Sequence, residues 1–168
     1  MTEQKYDKRE IATEQLKTAI FLFLSGRDRS SVITLAGAAS NILERLVRND
    51  GKTAFIDYAR NVQNVLGRST PPRAKYRRYI NERLGINPHK HISPTCLNTL
   101  EIDLQKSAED AITKAIADYT TLYGKEHAFI KAFLSWAWVN RDGPQVMKDH
   151  ENLPARIKNY GRAKLPKA

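Results

Sequence analysis

Val32-Ile33-Thr34-Leu35-Ala36-Gly37-Ala38-Ala39-Ser40-Asn41-Ile42-Leu43-Glu44-Arg45-Leu46 decides the fold class. Val32, Leu35, Ala36, Ala39, Ile42, Leu43 and Leu46 recur at i, i+3, i+4, i+7, the spacing that puts one apolar stripe on an α-helix. Asp28 or Ser30 can cap its start by accepting a backbone N–H, and Asn49-Asp50-Gly51 breaks it. The segment Ala36 to Ser40 has almost no side-chain bulk. A glycine inside a helix costs about 1 kcal/mol against alanine, so Gly37 predicts a neighbouring backbone in close approach.

The same period extends in both directions. Upstream, Ala12, Leu16, Ala19, Ile20 and Phe23 predict a helix over 8–24, ended by Gly26. Downstream, Phe55, Tyr58, Ala59, Val62 and Leu66 predict a third helix over 53–66. Pro71-Pro72 leads into a basic fourth over 73–84, with Tyr76, Tyr79 and Ile80 as its apolar side. Residues 85–94 read as a loop. A fifth helix over 99–123 has Leu100, Leu104, Ala108, Ala111, Ala115 and Leu122 as its seam, with Asn98 and Glu101 at capping-box spacing. A sixth over 126–140 is apolar nearly all round, which suits the centre of a bundle or a partner interface. Asp142-Gly143-Pro144 stops it, and a short helix and a basic tail follow. No stretch alternates with period two. The expectation is an all-α antiparallel bundle of five to six helices over 1–151 with a basic tail over 152–168.

Charge is distributed unevenly. Arg68, Arg73, Lys75, Arg77, Arg78 and Arg83 stand against Glu82 alone in 68–83, a net of +5. Arg156, Lys158, Arg162, Lys164 and Lys167 stand against no acid in 152–168, a second +5, and together these account for the whole net charge of +10. Charge in two blocks predicts surfaces that meet an anionic partner. Arginine forks onto phosphate and tyrosine stacks on unpaired bases, so Tyr76 and Tyr79 among the arginines suit RNA. The alternative is that both tyrosines fill the core and the arginines are a solvated face. The nucleic-acid-binding candidates are Arg68, Arg73, Lys75, Arg77, Arg78, Arg83, Lys158, Arg162 and Lys164.

Other chemistries find little footing. Cys96 is the single cysteine, so no intrachain disulfide forms. The longest apolar run, 19–24, is too short for a bilayer, and the N-terminus lacks the order of a signal peptide. These features predict a cytoplasmic protein without membrane contact. His89, His91 and Cys96 lie close together, but their spacing fits no usual zinc pattern, so a surface loop is expected and no metal or other cofactor. No glycine-rich phosphate loop is present. The acids Glu14, Glu44, Asp57, Glu101, Asp103, Glu109 and Asp110 read as solvated helix faces.

Two stretches carry a resemblance. Phe21 to Asp28 leading into Ser31 to Leu43, and Lys131-Ala132-Phe133-Leu134-Ser135-Trp136-Ala137 followed by Arg141-Asp142-Gly143-Pro144, resemble a group of small uncharacterised bacterial helical proteins. Those proteins carry an Arg-Asn-Phe-Phe-Lys-His-Ala version of the second stretch, similar to the signature of HEPN-type domains. There an arginine and a histidine on one helix serve RNA cleavage. The resemblance implies that Lys131 stands at the arginine position and Trp136 at the histidine position. Tryptophan cannot relay a proton, so the implied domain is a degenerate one that keeps the fold and loses the chemistry. HEPN-type domains commonly pair through their motif face, which implies a homodimer with Phe133, Trp136 and Trp138 at the interface.

The leading expectation is therefore a non-catalytic helical module that binds an anionic partner such as RNA, as a dimer. Two others compete with it. One is a metal-independent RNA nuclease of toxin or defence type using Lys131, Arg141 and His150. The other is a regulatory protein that binds another protein through Trp136 and Trp138.

Overall fold

A computed structural model of the chain describes residues 5–90 and 99–160. Among the described residues all regular structure is helical: α1 (Lys8–Leu24), α2 (Arg29–Asn49), α3 (Phe55–Val65), α4 (Arg73–Arg83), α5 (Leu104–Tyr123), α6 (Ala128–Asn140), α7 (Gly143–Glu151) and α8 (Ala155–Tyr160). None of these helices is long and apolar enough to cross a membrane.

The core lies between α1, α2 and α5, with α6 on its edge. It is built from Leu16, Ile20, Phe23, Val32, Ile33, Leu43, Ile112, Ala115 and Tyr119, with Ile130 and Phe133 from α6. The small residues of α2 and α5 (Ala36, Ala39, Ala108, Ala111) let these two helices approach closely.

The helices are not uniformly antiparallel. Arg29, at the start of α2, donates to Gln105 at the start of α5 (2.7 Å). Lys52, just past the end of α2, donates to the carbonyl of Thr121 near the end of α5 (3.2 Å). So α2 and α5 run parallel, which corrects the simple antiparallel expectation. The physical reason is the crossover made by α3, α4 and the turns after them, which returns the chain to the end where α2 began. Within it α4 runs back along α2: Arg73 reaches Glu44, Arg77 reaches Asn41, and Ile86 reaches Gly37.

Gly37 is needed for packing, though not against a backbone. A Cβ there would lie 2.6 Å from Cγ2 of Ile86, so the space that the missing side chain leaves is filled by a side chain from the turn after α4. The start of α5 also differs from expectation. Asp103 caps it, accepting from the Lys106 N–H, so the helix begins at Leu104 rather than at residue 99. Leu100 precedes it and is exposed. Asp142-Gly143-Pro144 stops α6 as expected, but it also starts α7. Asp142 turns the chain at φ 48° and accepts from the Gln145 N–H, and Pro144 falls in the first turn, where no hydrogen bond is lost.

α6 is peripheral rather than central. Its inner side packs on α1, where Phe23 meets Trp136 edge-on at 4.7 Å between ring centres and Phe133 at 5.6 Å. Its outer side is exposed, with Trp138 51% and Val139 79% accessible. The stretch from 152 begins as a docked element: α8 packs on α3 with Ile157 buried. Arg162 and Lys164, like His91 and Cys96, lie outside the described residues.

Candidate functional site

The crossover covers a polar stripe of α2. Gly37, Ser40, Asn41 and Glu44 stand at i, i+3, i+4 and i+7, on one face over two turns. Glu44 is buried and gathers three cations. Arg73 donates to it from Nη2 at 2.7 Å, Arg77 from Nε at 2.9 Å, and the Lys114 ammonium lies at 3.9 Å. Arg73 also holds Asp57 at 2.6 Å, and Arg77 extends Nη2 to the Asn41 side-chain oxygen at 2.9 Å. Lys114 is 1% exposed and donates to the Ser40 hydroxyl at 2.5 Å. Burial pushes its ammonium below the usual lysine range, against the attraction of Glu44 and Asp118.

Asp118 closes the same network from one turn further along α5. Its carboxylate accepts the Phe55 N–H at 2.7 Å, so a side chain from α5 caps the start of α3. Its second oxygen is buried and has no hydrogen-bond partner among the described residues. Burial raises its pKa to about 6, with the Phe55 hydrogen bond and Lys114 pulling the other way.

These contacts divide the basic helix by direction. Arg73 and Arg77 point inward and are bound to carboxylates, which corrects the expectation of one solvated basic flank. The reason is periodicity: positions 73 and 77 are one turn apart, on the side of α4 that faces α2. Tyr76 shares that inward side and is buried, whereas Tyr79 is 45% exposed and stays near solvent. Arg68 and Lys75 are exposed. Arg78 is exposed and paired with Glu82 one turn away at 2.8 Å, while Arg83 leans on Tyr79, its Nη1 donating to the phenol oxygen at 3.1 Å. Lys158, half-buried on α8, donates to the Glu151 carbonyl.

Glu44 and Glu109 are buried, which overturns their reading as solvated faces. The sequence reading also missed Lys90, Lys114 and Asp118. A signal was available: Lys114 and Asp118 interrupt the Ala108-Ala111-Ala115 face at i, i+4, as Ser40 and Glu44 interrupt that of α2.

The motif region of α6 is arranged differently. Trp136 lines a cavity of about 370 Å³ with Lys106, Glu109, Asp110, Thr113 and Arg141. Glu109 is saturated: Gln105 donates to one oxygen at 3.0 Å and Arg141 to the other, from Nε at 2.6 Å. Lys131 lies on the opposite side of α6, paired with Glu126 at 2.6 Å, in a groove with Leu134, Trp138 and Val139. Lys131 and Arg141 thus line different grooves, and His150 is exposed on α7. Of the three aromatic residues expected at an interface, Phe133 is buried in the core, Trp136 is half-buried against Phe23, and Trp138 alone is largely exposed. No group of three or more metal-ligating side chains occurs among the described residues. No family model matches the chain, and neither a curated protein nor a solved structure matches it.

Proposed function

We propose that this chain is a non-catalytic helical module that binds RNA through the flank formed by α3, α4 and α8. The observation that carries the reading is that α4 and α8 both pack on α3. Two basic helices far apart in sequence thereby share one support, and the outward side chains of α4 and its approach (Arg68, Lys75, Arg78 and Arg83) carry charge to the surface. Arg73 and Arg77 serve a different purpose: they hold α4 to α2 and so fix the surface that the others line. Arg78–Glu82 is a solvent-exposed pair worth little on its own, so Arg78 exchanges it for a phosphate at small cost. The exposed Tyr79 ring offers a stacking surface between them. The degenerate HEPN-like relationship belongs to the same proposal, with Trp136 as a packing residue where a proton-transferring histidine would stand.

The test is fluorescence anisotropy with single-stranded RNA over a salt series. Affinity should fall linearly on a log–log plot, at about 0.7 per phosphate contact. Absence of binding at low salt refutes the proposal.

A second reading has its own support. Leu134, Trp138 and Val139 on α6, with Val146 and Met147 on α7, are exposed apolar side chains. Large exposed aromatic and methionine side chains are enriched where proteins meet. A protein contact there, whether with a second copy or another chain, is insensitive to salt and lost in Trp138→Ala. Sedimentation of the wild type and this variant at two salt concentrations separates it from the first reading.

A further inference from the structure

Three cations converge on one turn of α2 with too little negative charge to balance them. The Lys90 ammonium sits over Gly37, 3.3 Å from where a Cβ would be. Arg77 places Nη2 on Asn41, and Lys114 places its ammonium on Ser40 between them. Residues 37 and 41 are about 6 Å apart along the helix axis, at 1.5 Å per residue. Two carboxylates act on Lys114: Glu44, whose oxygens are both taken by Arg73 and Arg77, and Asp118, one turn further along α5. Lys90 has no acidic partner among the described residues, and Arg77 Nη1 has no acceptor among them.

We propose that Lys90 and Arg77 are the direct ligands of a single phosphate-type oxyanion seated over the Gly37–Asn41 turn, with Lys114 as the buried charge behind it. Lys90 and Arg77 thus both keep donors without an acceptor among the described residues, and a phosphate-type oxyanion takes charge-assisted hydrogen bonds of about 2.8 Å from such donors. Gly37 leaves room for the Ile86 side chain, and the Lys90 ammonium lies beside that contact. The electrostatics agree: burial disfavours the protonated forms of both lysines most, Glu44 and Asp118 oppose it at Lys114, and the charge of Arg77 on both lysines and of Lys90 on Lys114 adds to it. A bound anion relieves that mutual repulsion. The site is distinct from the outward face of α4, and its occupant is either a free phosphate group or a phosphate of a nucleic acid.

The experiment is calorimetric titration of the full chain with inorganic phosphate at constant ionic strength. The expected result is saturable binding at one site per chain. Lys90→Met should weaken it by about tenfold or more, the loss of one charged hydrogen bond. Lys90→Arg and the charge-matched surface control Lys148→Met should keep it. RNA oligomers with and without a 5′-phosphate identify the source. A 5′-phosphate preference that disappears in Lys90→Met assigns the site to nucleic acid, and binding of inorganic phosphate without such a preference assigns it to a small molecule. Absence of saturable phosphate binding, or equal binding by Lys90→Met, overturns the inference, and does so whether or not the wild type binds RNA.

Discussion

Glu44 on α2 and Arg73 on α4 meet at 2.7 Å, and Arg77, one turn further along α4, meets the same carboxylate at 2.9 Å. The carboxylate is buried and the Arg73 guanidinium about three-quarters so. Removing one partner from such a pair leaves the others buried without compensation, which costs more than the pair contributes. Glu44→Gln keeps the shape and removes the charge. It is expected to destabilise the fold by about 3 kcal/mol, read as a lower urea midpoint. A change within about 0.5 kcal/mol, the range of ordinary surface substitutions, contradicts the structural role.

The pH dependence of stability has a definite sign at Asp118. Its folded pKa of about 6 is raised above the ordinary 3.8. The folded state therefore binds the proton more tightly than the unfolded state does. Stability contributed by the neutral carboxyl is fully present below the unfolded value and is lost as pH rises through about 6. Asp118→Asn retains an acceptor for the Phe55 N–H and has no charge to bury. Relative to wild type it should gain up to about 3 kcal/mol between pH 4 and pH 7, the free-energy equivalent of that pKa difference. Parallel denaturation curves across that window, with a constant difference between the two proteins, contradict this assignment.

Charge reversal should separate the two sides of α4. Lys75→Glu with Arg78→Glu is expected to keep stability within about 0.5 kcal/mol and to weaken RNA binding, with the salt slope reduced by about 1.4. Arg73→Glu puts an acid against Glu44 and Asp57 and should unfold the crossover. Thermal melts and anisotropy on the same samples read both effects. Equal loss of stability in both variants contradicts the division into inward and outward arginines.

Gly37→Ala should destabilise by about 1–3 kcal/mol, the usual range for overpacking. The obstacle is Ile86, a stiff β-branched side chain in the core. Ile86→Ala removes it. The double variant Gly37→Ala/Ile86→Ala should therefore be less destabilised than the sum of the two single changes, and a denaturation double-mutant cycle measures the difference. Strict additivity contradicts the contact.

The helices themselves were legible because each carries its own period and stop. α1 begins and ends where the spacing of Ala12 to Phe23 and the Gly26 turn put it. The parallel course of α2 and α5 was not legible, since direction depends on how the crossover folds back, and no local pattern records that. The candidate site was legible as charge and illegible as geometry. Arg73 and Lys75 look alike in a sequence, and only the packing of α4 on α2 turns one inward and leaves the other in water. Buried charges were the least visible. Glu44 and Lys114 are separated by most of the chain's middle, and each looks solvated until the other is brought beside it.

The parallel course of α2 and α5 bears on the order in which the chain assembles. The α1–α2 hairpin closes over the four residues between Leu24 and Arg29, whereas Ser40 and Lys114 are 74 residues apart. Loop-closure entropy rises with the logarithm of that separation, so the hairpin is entropically the easier nucleus and the docking of α5 the harder step. Hydrogen exchange from the amides of α3 and α4 under native conditions should then report a unit that opens before the hairpin does. The buried ion cluster would act as its latch.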